Sequence, residues 1–149
     1  MSGAQVVRIV AGVLALGVLG VMIFALVSYI LTLSRALKKC SVTSLTLQPG
    51  TLWLLLIPIV NLVWHFFVVI GMAKTLGNEF RARNMPNVEQ EPAKGIGIGM
   101  CVCGACSWIP ILGIAADLAF LVLWIMYWSK IAGYSRMLDD QLAVIAPAQ

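Results

Sequence analysis

From Ile9 to Ser34 the chain runs for 26 residues without a charge, bounded by Arg8 before it and by Arg35, Lys38 and Lys39 after it. A helix rises about 1.5 Å per residue and a bilayer's hydrocarbon core is about 30 Å thick, so roughly 20 apolar residues cross it. A cleaved signal segment has an apolar region of about 7–15 residues followed by a small-residue cleavage site. This run is longer and ends in a basic cluster, so residues 6–34 read as a retained membrane helix. Composition points the same way. The chain has 149 residues, 61% hydrophobic and 11% charged, where a soluble domain has about 25% charged. That much apolar surface cannot be hidden inside a water-soluble body of this size. The expected class is all-α, one integral membrane domain over residues 1–149.

Two further apolar stretches follow. Residues 52–74 make a second span after the connector "RALKKCSVTSLTLQPGT", whose Pro49-Gly50 reads as a turn. Glu79 and Arg83, four apart, read as an ion pair where this helix emerges into water. Residues 84–94 form a polar linker with two prolines. The stretch Gly95–Ser129 is too long for one span, and Pro110 and Gly113 supply a break. It reads as a short hairpin, spans 95–108 and 111–134, followed by a tail at 135–149. The expectation is four transmembrane helices, with three spans and one long kinked helix as the rival.

Lysine and arginine counts set the expected orientation. Four spans put Arg8, Lys74, Arg81, Arg83, Lys94, Lys130 and Arg136 on one side, and Arg35, Lys38 and Lys39 on the other. Both termini are then cytoplasmic, in the inner membrane. The first helix alone, more basic after its C-terminal end, favours the reverse. Trp53 and Trp108 would mark the outer interface, and Trp124, Trp128 and Tyr134 the inner one.

An internal echo joins the halves: "IPIVNL" at Ile57–Leu62 returns as "IPILGI" at Ile109–Ile114. It suggests two parallel helical hairpins. It also allows the second long helix to start at Pro58, which would leave "LQPGTLWLLL" as an interfacial or partly re-entrant segment. The segment "SLTLQPGTLWLLLIPIVNLVW" resembles a bacterial family of small multi-pass membrane proteins of unknown function. The shared pattern is a Pro-Gly, a tryptophan, then Ile-Pro-Ile-x-Asn, over the first half of the chain; the cysteine-bearing second half does not follow it. The resemblance implies a bacterial source and the cytoplasmic membrane, and carries over no functional residue.

Two constellations could carry function. "GIGIGMCVCGACSWIP" packs Cys101, Cys103 and Cys106 together. On a helix each residue turns about 100°, so Cys103 and Cys106 share a face while Cys101 points away. No single ion gathers all three without unwinding the helix, and no metal or cofactor is expected. A disulfide between Cys40 and Cys106 remains an alternative. Gly95, Gly99, Cys103 and Ser107 recur every four residues, with Cys106 beside them, in a small-xxx-small stripe that suits helix–helix contact in lipid. The second constellation is polar. Asn61 and His65 share a face of one span and Asp117 lies within another, and ionisable groups inside a bilayer are a functional hypothesis by default. Their plainer roles are a hydrogen bond from His65 to Ser28 or Thr32, and Asp117 as a helix cap.

Catalytic triads, paired carboxylates and phosphate-cradling glycine loops are not evident, and an enzyme is not expected. The expected partners are the lipid bilayer and either a second copy or another membrane protein, with no nucleic acid. The favoured reading is association through helix packing, as accessory subunit or homo-oligomer. Its alternative is a transporter or channel for protons or small ions using Asn61, His65 and Asp117.

Overall fold

The computed structural model describes residues 2–86 and 88–145, and within them every regular element is helical. Helix α1 covers Gly3–Lys38 and a 3-10 helix covers Pro49–Leu56; α2 covers Pro58–Ala82, α3 Lys94–Cys106 and α4 Gly113–Ile145. Three of these are long and apolar enough to cross a membrane: Gly3–Lys38, Ile59–Ala82 and Gly113–Leu142. The expected span at 95–108 is α3, whose 13 residues reach about 20 Å, short of a hydrocarbon core.

Local chemistry explains the boundaries. Ile57 is extended and Pro58 opens α2, where a proline's missing N–H costs nothing. The start at Pro58 leaves the preceding leucines to the 3-10 helix. α2 ends on Asn84 in the left-handed region (φ 49), with Met85 N–H donating to the Phe80 carbonyl and Asn84 N–H to that of Arg81. That pair of bonds is the Schellman stop. The break between α3 and α4 falls at residues 107–112, around Pro110, as the hairpin expectation had it. α4 then runs on through residues expected to be a tail.

Cross-helix contacts fix the directions. Trp128 of α4 donates its indole N–H to Thr32 of α1 (2.9 Å), and Lys39, just past α1, reaches Ser135 and Asp139 of α4. α1 and α4 therefore run the same way. α2 joins them, since Tyr29 meets His65 at one level while Phe80 packs on Tyr134 further along. Two shorter pieces bring the chain back. Residues 40–57 climb along α2, with Ser41 bonded to Glu79, Thr46 to Thr75, and the Thr51 carbonyl to Trp64. α3 makes the other return, from Gly97 beside Val69 and Tyr127 to Gly104 beside Phe120.

The grouping of basic residues along these directions differs from the expected one. Lys39 lies against α4's last turns, and Arg83 Nη2 donates to the Lys39 carbonyl (2.9 Å). The basic cluster after α1 therefore sits at the same end as Arg83 and Arg136, not opposite them. With α1 parallel to α4, the start of α1 and the end of α4 lie at opposite ends of the molecule. The physical reason is that residues 40–57 return along α2, which a count of long apolar runs misses.

The core sits toward the charged end. Tyr29, Ile30, Leu33, Ala36 and Leu37 of α1 are buried at helical spacing, against Val68, Val69, Met72 and Leu76 of α2 and Tyr127, Ile131 and Leu138 of α4. Residues 2–24 of α1 are exposed throughout. A helix so apolar and so exposed over most of its surface is one suited to lipid.

Candidate functional site

Asn61 and His65, one turn apart on α2, and Asp117 on α4 line one cavity of about 240 Å³. α3 closes it with Cys101, Gly104 and Ser107. The three polar residues scattered along the sequence thus come together because α2 and α4 run in the same direction with α3 threaded between them. Asp117 and Trp108 are exposed at the mouth, and His65, 8% exposed, forms the floor.

His65 Nε2 lies 3.1 Å from the Tyr29 hydroxyl, so its partner is on α1, though it is neither Ser28 nor Thr32. Thr32 instead donates to the Ser28 carbonyl and accepts from Trp128. Tyr29 is wholly buried among Trp124, Tyr127 and Trp128, with ring centroids 5.5 to 6.3 Å away. Beneath His65 the interior is packed with Val68, Val69, Met72 and Met100. The cavity is closed toward the charged end.

Two features mark it as more than a packing gap. Asn61 Oδ1 is buried and accepts no hydrogen bond, a state that costs about 1–3 kcal/mol in a protein interior. And α4 begins at Gly113, so Asp117 lies inside the helix and is not its cap. A second, apolar cavity of about 400 Å³ touches the other flank of Asn61 and His65, between Leu19, Met22 and Ile23 of α1 and Leu121 of α4.

The small-residue stripe of α3 divides. The tightest of the α3 glycines is Gly97, where a Cβ would collide with the Val69 side chain and stand 2.9 Å from the Tyr127 ring. Gly97 is not in the expected stripe. Within the stripe, Gly99 would meet Leu123 at 3.5 Å, while Gly95 faces open space. Cys103, Cys106 and Ser107 are half-buried. All four cysteines are free. Cys40 belongs to the charged end, its Sγ donating to the Ala36 carbonyl, and Cys106 closes α3 at the other end, so the two are not partners. Burial, aided by Glu79 and opposed by Arg83, pushes the Cys40 thiol up to about 12.

The sequence reading missed the polar knot at the charged end. Glu79, read as a solvent-facing partner of Arg83, is only 2% exposed. Its carboxylate accepts from Ser41 N–H (2.8 Å), Ser41 hydroxyl (2.7 Å) and Arg83 Nε (2.7 Å). Arg83 also holds the Lys39 carbonyl. The signal available in the sequence was Ser41 and Ser44 close after a basic helix end; nothing local linked them to a glutamate 38 residues on.

No known protein family, curated protein or solved structure matches this chain.

Proposed function

We propose that this is a multi-pass protein of the cytoplasmic membrane that admits protons or small cations to a membrane-embedded cavity floored by His65. The observation that carries the reading is the convergence of Asn61, His65 and Asp117 on one cavity, with Asn61 Oδ1 unpartnered. Nine of the ten lysines and arginines, all but Arg8, belong to the segments at the charged end. By the positive-inside rule that end is cytoplasmic, with the C-terminal helix end inside and the start of α1 outside. Counting back from Lys74 and Lys130 at about 1.5 Å per residue, Asn61 and Asp117 both lie about 20 Å into the membrane and His65 about 14 Å. Two acceptors at one depth above a histidine suit a proton or a small cation.

Reconstitution into liposomes with a trapped pH indicator tests this. Wild-type protein, whose floor at His65 has to open in turn toward the charged end, is expected to carry a proton flux that falls at least tenfold in His65→Ala and Asp117→Asn. Equal flux in wild type and both variants overturns the reading.

A second reading is favoured by a different observation, the bare residues 2–24 of α1 together with the open side of Gly95. It is association with a second copy or another membrane protein through helix contact in lipid. Native mass spectrometry of protein gently extracted from its membrane reads it directly. A defined complex supports it, and a lone protomer contradicts it.

A further inference from the structure

At the charged end α1 and α4 do not close completely. A cleft of about 300 Å³ lies between them, lined by Thr32 and Arg35 from α1, by Lys39 just past it, and by Ala132, Ser135 and Arg136 from α4. The six positions follow from helix spacing. Thr32, Arg35 and Lys39 follow one another at three- and four-residue spacing on one side, and the adjacent Ser135 and Arg136 lie three and four residues after Ala132 on the other. Ala132 is small enough to leave the gap open.

The charges in the cleft are unevenly committed. Lys39 is held in place, its ammonium donating to the Ser135 hydroxyl (2.7 Å), the Ser135 carbonyl (3.1 Å) and Asp139 (2.6 Å). Asp139 is thereby occupied. Arg35 and Arg136 are both exposed, and among the described residues neither has a carboxylate within salt-bridge distance. Two guanidiniums from different helices thus flank one cleft whose lining contains no carboxylate. A planar guanidinium fork matches a phosphate's oxygens in pairs.

The apolar surroundings say what kind of phosphate fits. Trp128, hydrogen-bonded to Thr32, stands at the cleft's membrane side. Leu31, one turn back from Arg35, is 39% exposed, and Ile125, three turns back from Arg136, is 54% exposed. A headgroup in the cleft would have its acyl chains leave along these faces. We infer that the α1–α4 cleft is a binding site for the phosphate headgroup of an anionic membrane lipid, held between Arg35 and Arg136. Basic pockets between membrane helices on the cytoplasmic side bind such headgroups. The inference does not depend on the cavity at His65.

Native mass spectrometry of the full chain in neutral detergent tests it, titrating phosphatidylglycerol and phosphatidylcholine. Phosphatidylglycerol is expected to bind at least tenfold more tightly than phosphatidylcholine, and to lose about 30-fold in Arg35→Gln/Arg136→Gln, on the order of fivefold per charge. Lys94→Gln, outside the cleft, should bind like wild type. Arg35→Lys/Arg136→Lys, which keeps the charge and loses the fork, should fall between, and it serves as the reading if the double glutamine variant does not fold. Equal binding of the two lipids, or undiminished binding in the double variant, overturns the site. Inorganic phosphate at 10 mM displacing the lipid completely would mean a soluble anion is the ligand, and would overturn the lipid assignment.

Discussion

Glu79 shows what one residue does in a fold that has little hydrophobic drive between its helices. In lipid, association rests on packing and hydrogen bonds, since the solvent is as apolar as the core. Glu79 ties the turn at Ser41 to α2, and Arg83 ties α2 to the end of α1. Removing one partner of a buried pair leaves an uncompensated charge and costs about 3–5 kcal/mol. Glu79→Ala should therefore lower the midpoint of SDS-induced unfolding by an amount in that range, whereas Arg81→Ala, exposed on the same helix, should change it little. Equal midpoints for Glu79→Ala and wild type would mean the knot does not hold the end together. The i,i+4 spacing of Glu79 and Arg83 was legible. Its burial was not, because that depends on a turn brought back from 38 residues away.

At the scale of elements, apolar length was the most readable signal and the return segments the least. Residues 6–34 lie within α1 and all but the first two of 111–134 within α4, and the break near Pro110 stands where proline and glycine put it. The segment before Pro58 was harder: "TLWLLLIP" has the apolarity of a span, yet it winds as a 3-10 helix whose Leu52 and Leu55 are buried. Irregular backbone at membrane depth is tolerated only where protein covers it. Here Trp64 donates its indole N–H to the Thr51 carbonyl. The same limit applied to α3. A stripe of small residues predicts close approach, but which glycine makes it depends on the neighbours. Gly97→Ala is expected to cost about 1–3 kcal/mol through overpacking against Val69 and Tyr127, while Gly95→Ala should be near neutral, both read as SDS midpoints. A Gly97→Ala protein as stable as wild type would contradict that seam.

Over the whole molecule, the chain sorts its polar chemistry into two places. One end carries the basic residues and the Glu79 knot; the opposite half holds a cavity with Asn61, His65 and Asp117. The members of that candidate site could be named from the sequence, since polar groups in apolar runs stand out. Their convergence could not, because it needs α2 and α4 parallel, and that parallel arrangement was only hinted at by the echo of "IPIVNL" in "IPILGI". The grouping of the basic residues differs from the expected one for a related reason, the return of residues 40–57 along α2 without forming an α-helix.

Substituted-cysteine accessibility at Asn61 tests the one-sided cavity most directly. In a background with Cys40, Cys101, Cys103 and Cys106 replaced by serine, Asn61→Cys is exposed to a small membrane-impermeant thiol reagent from either face of oriented membrane vesicles. The expected result is rapid modification from the face opposite the charged end and none from the charged face. Modification from the charged face alone, or from neither face, would contradict a cavity that opens away from that end and is floored by His65.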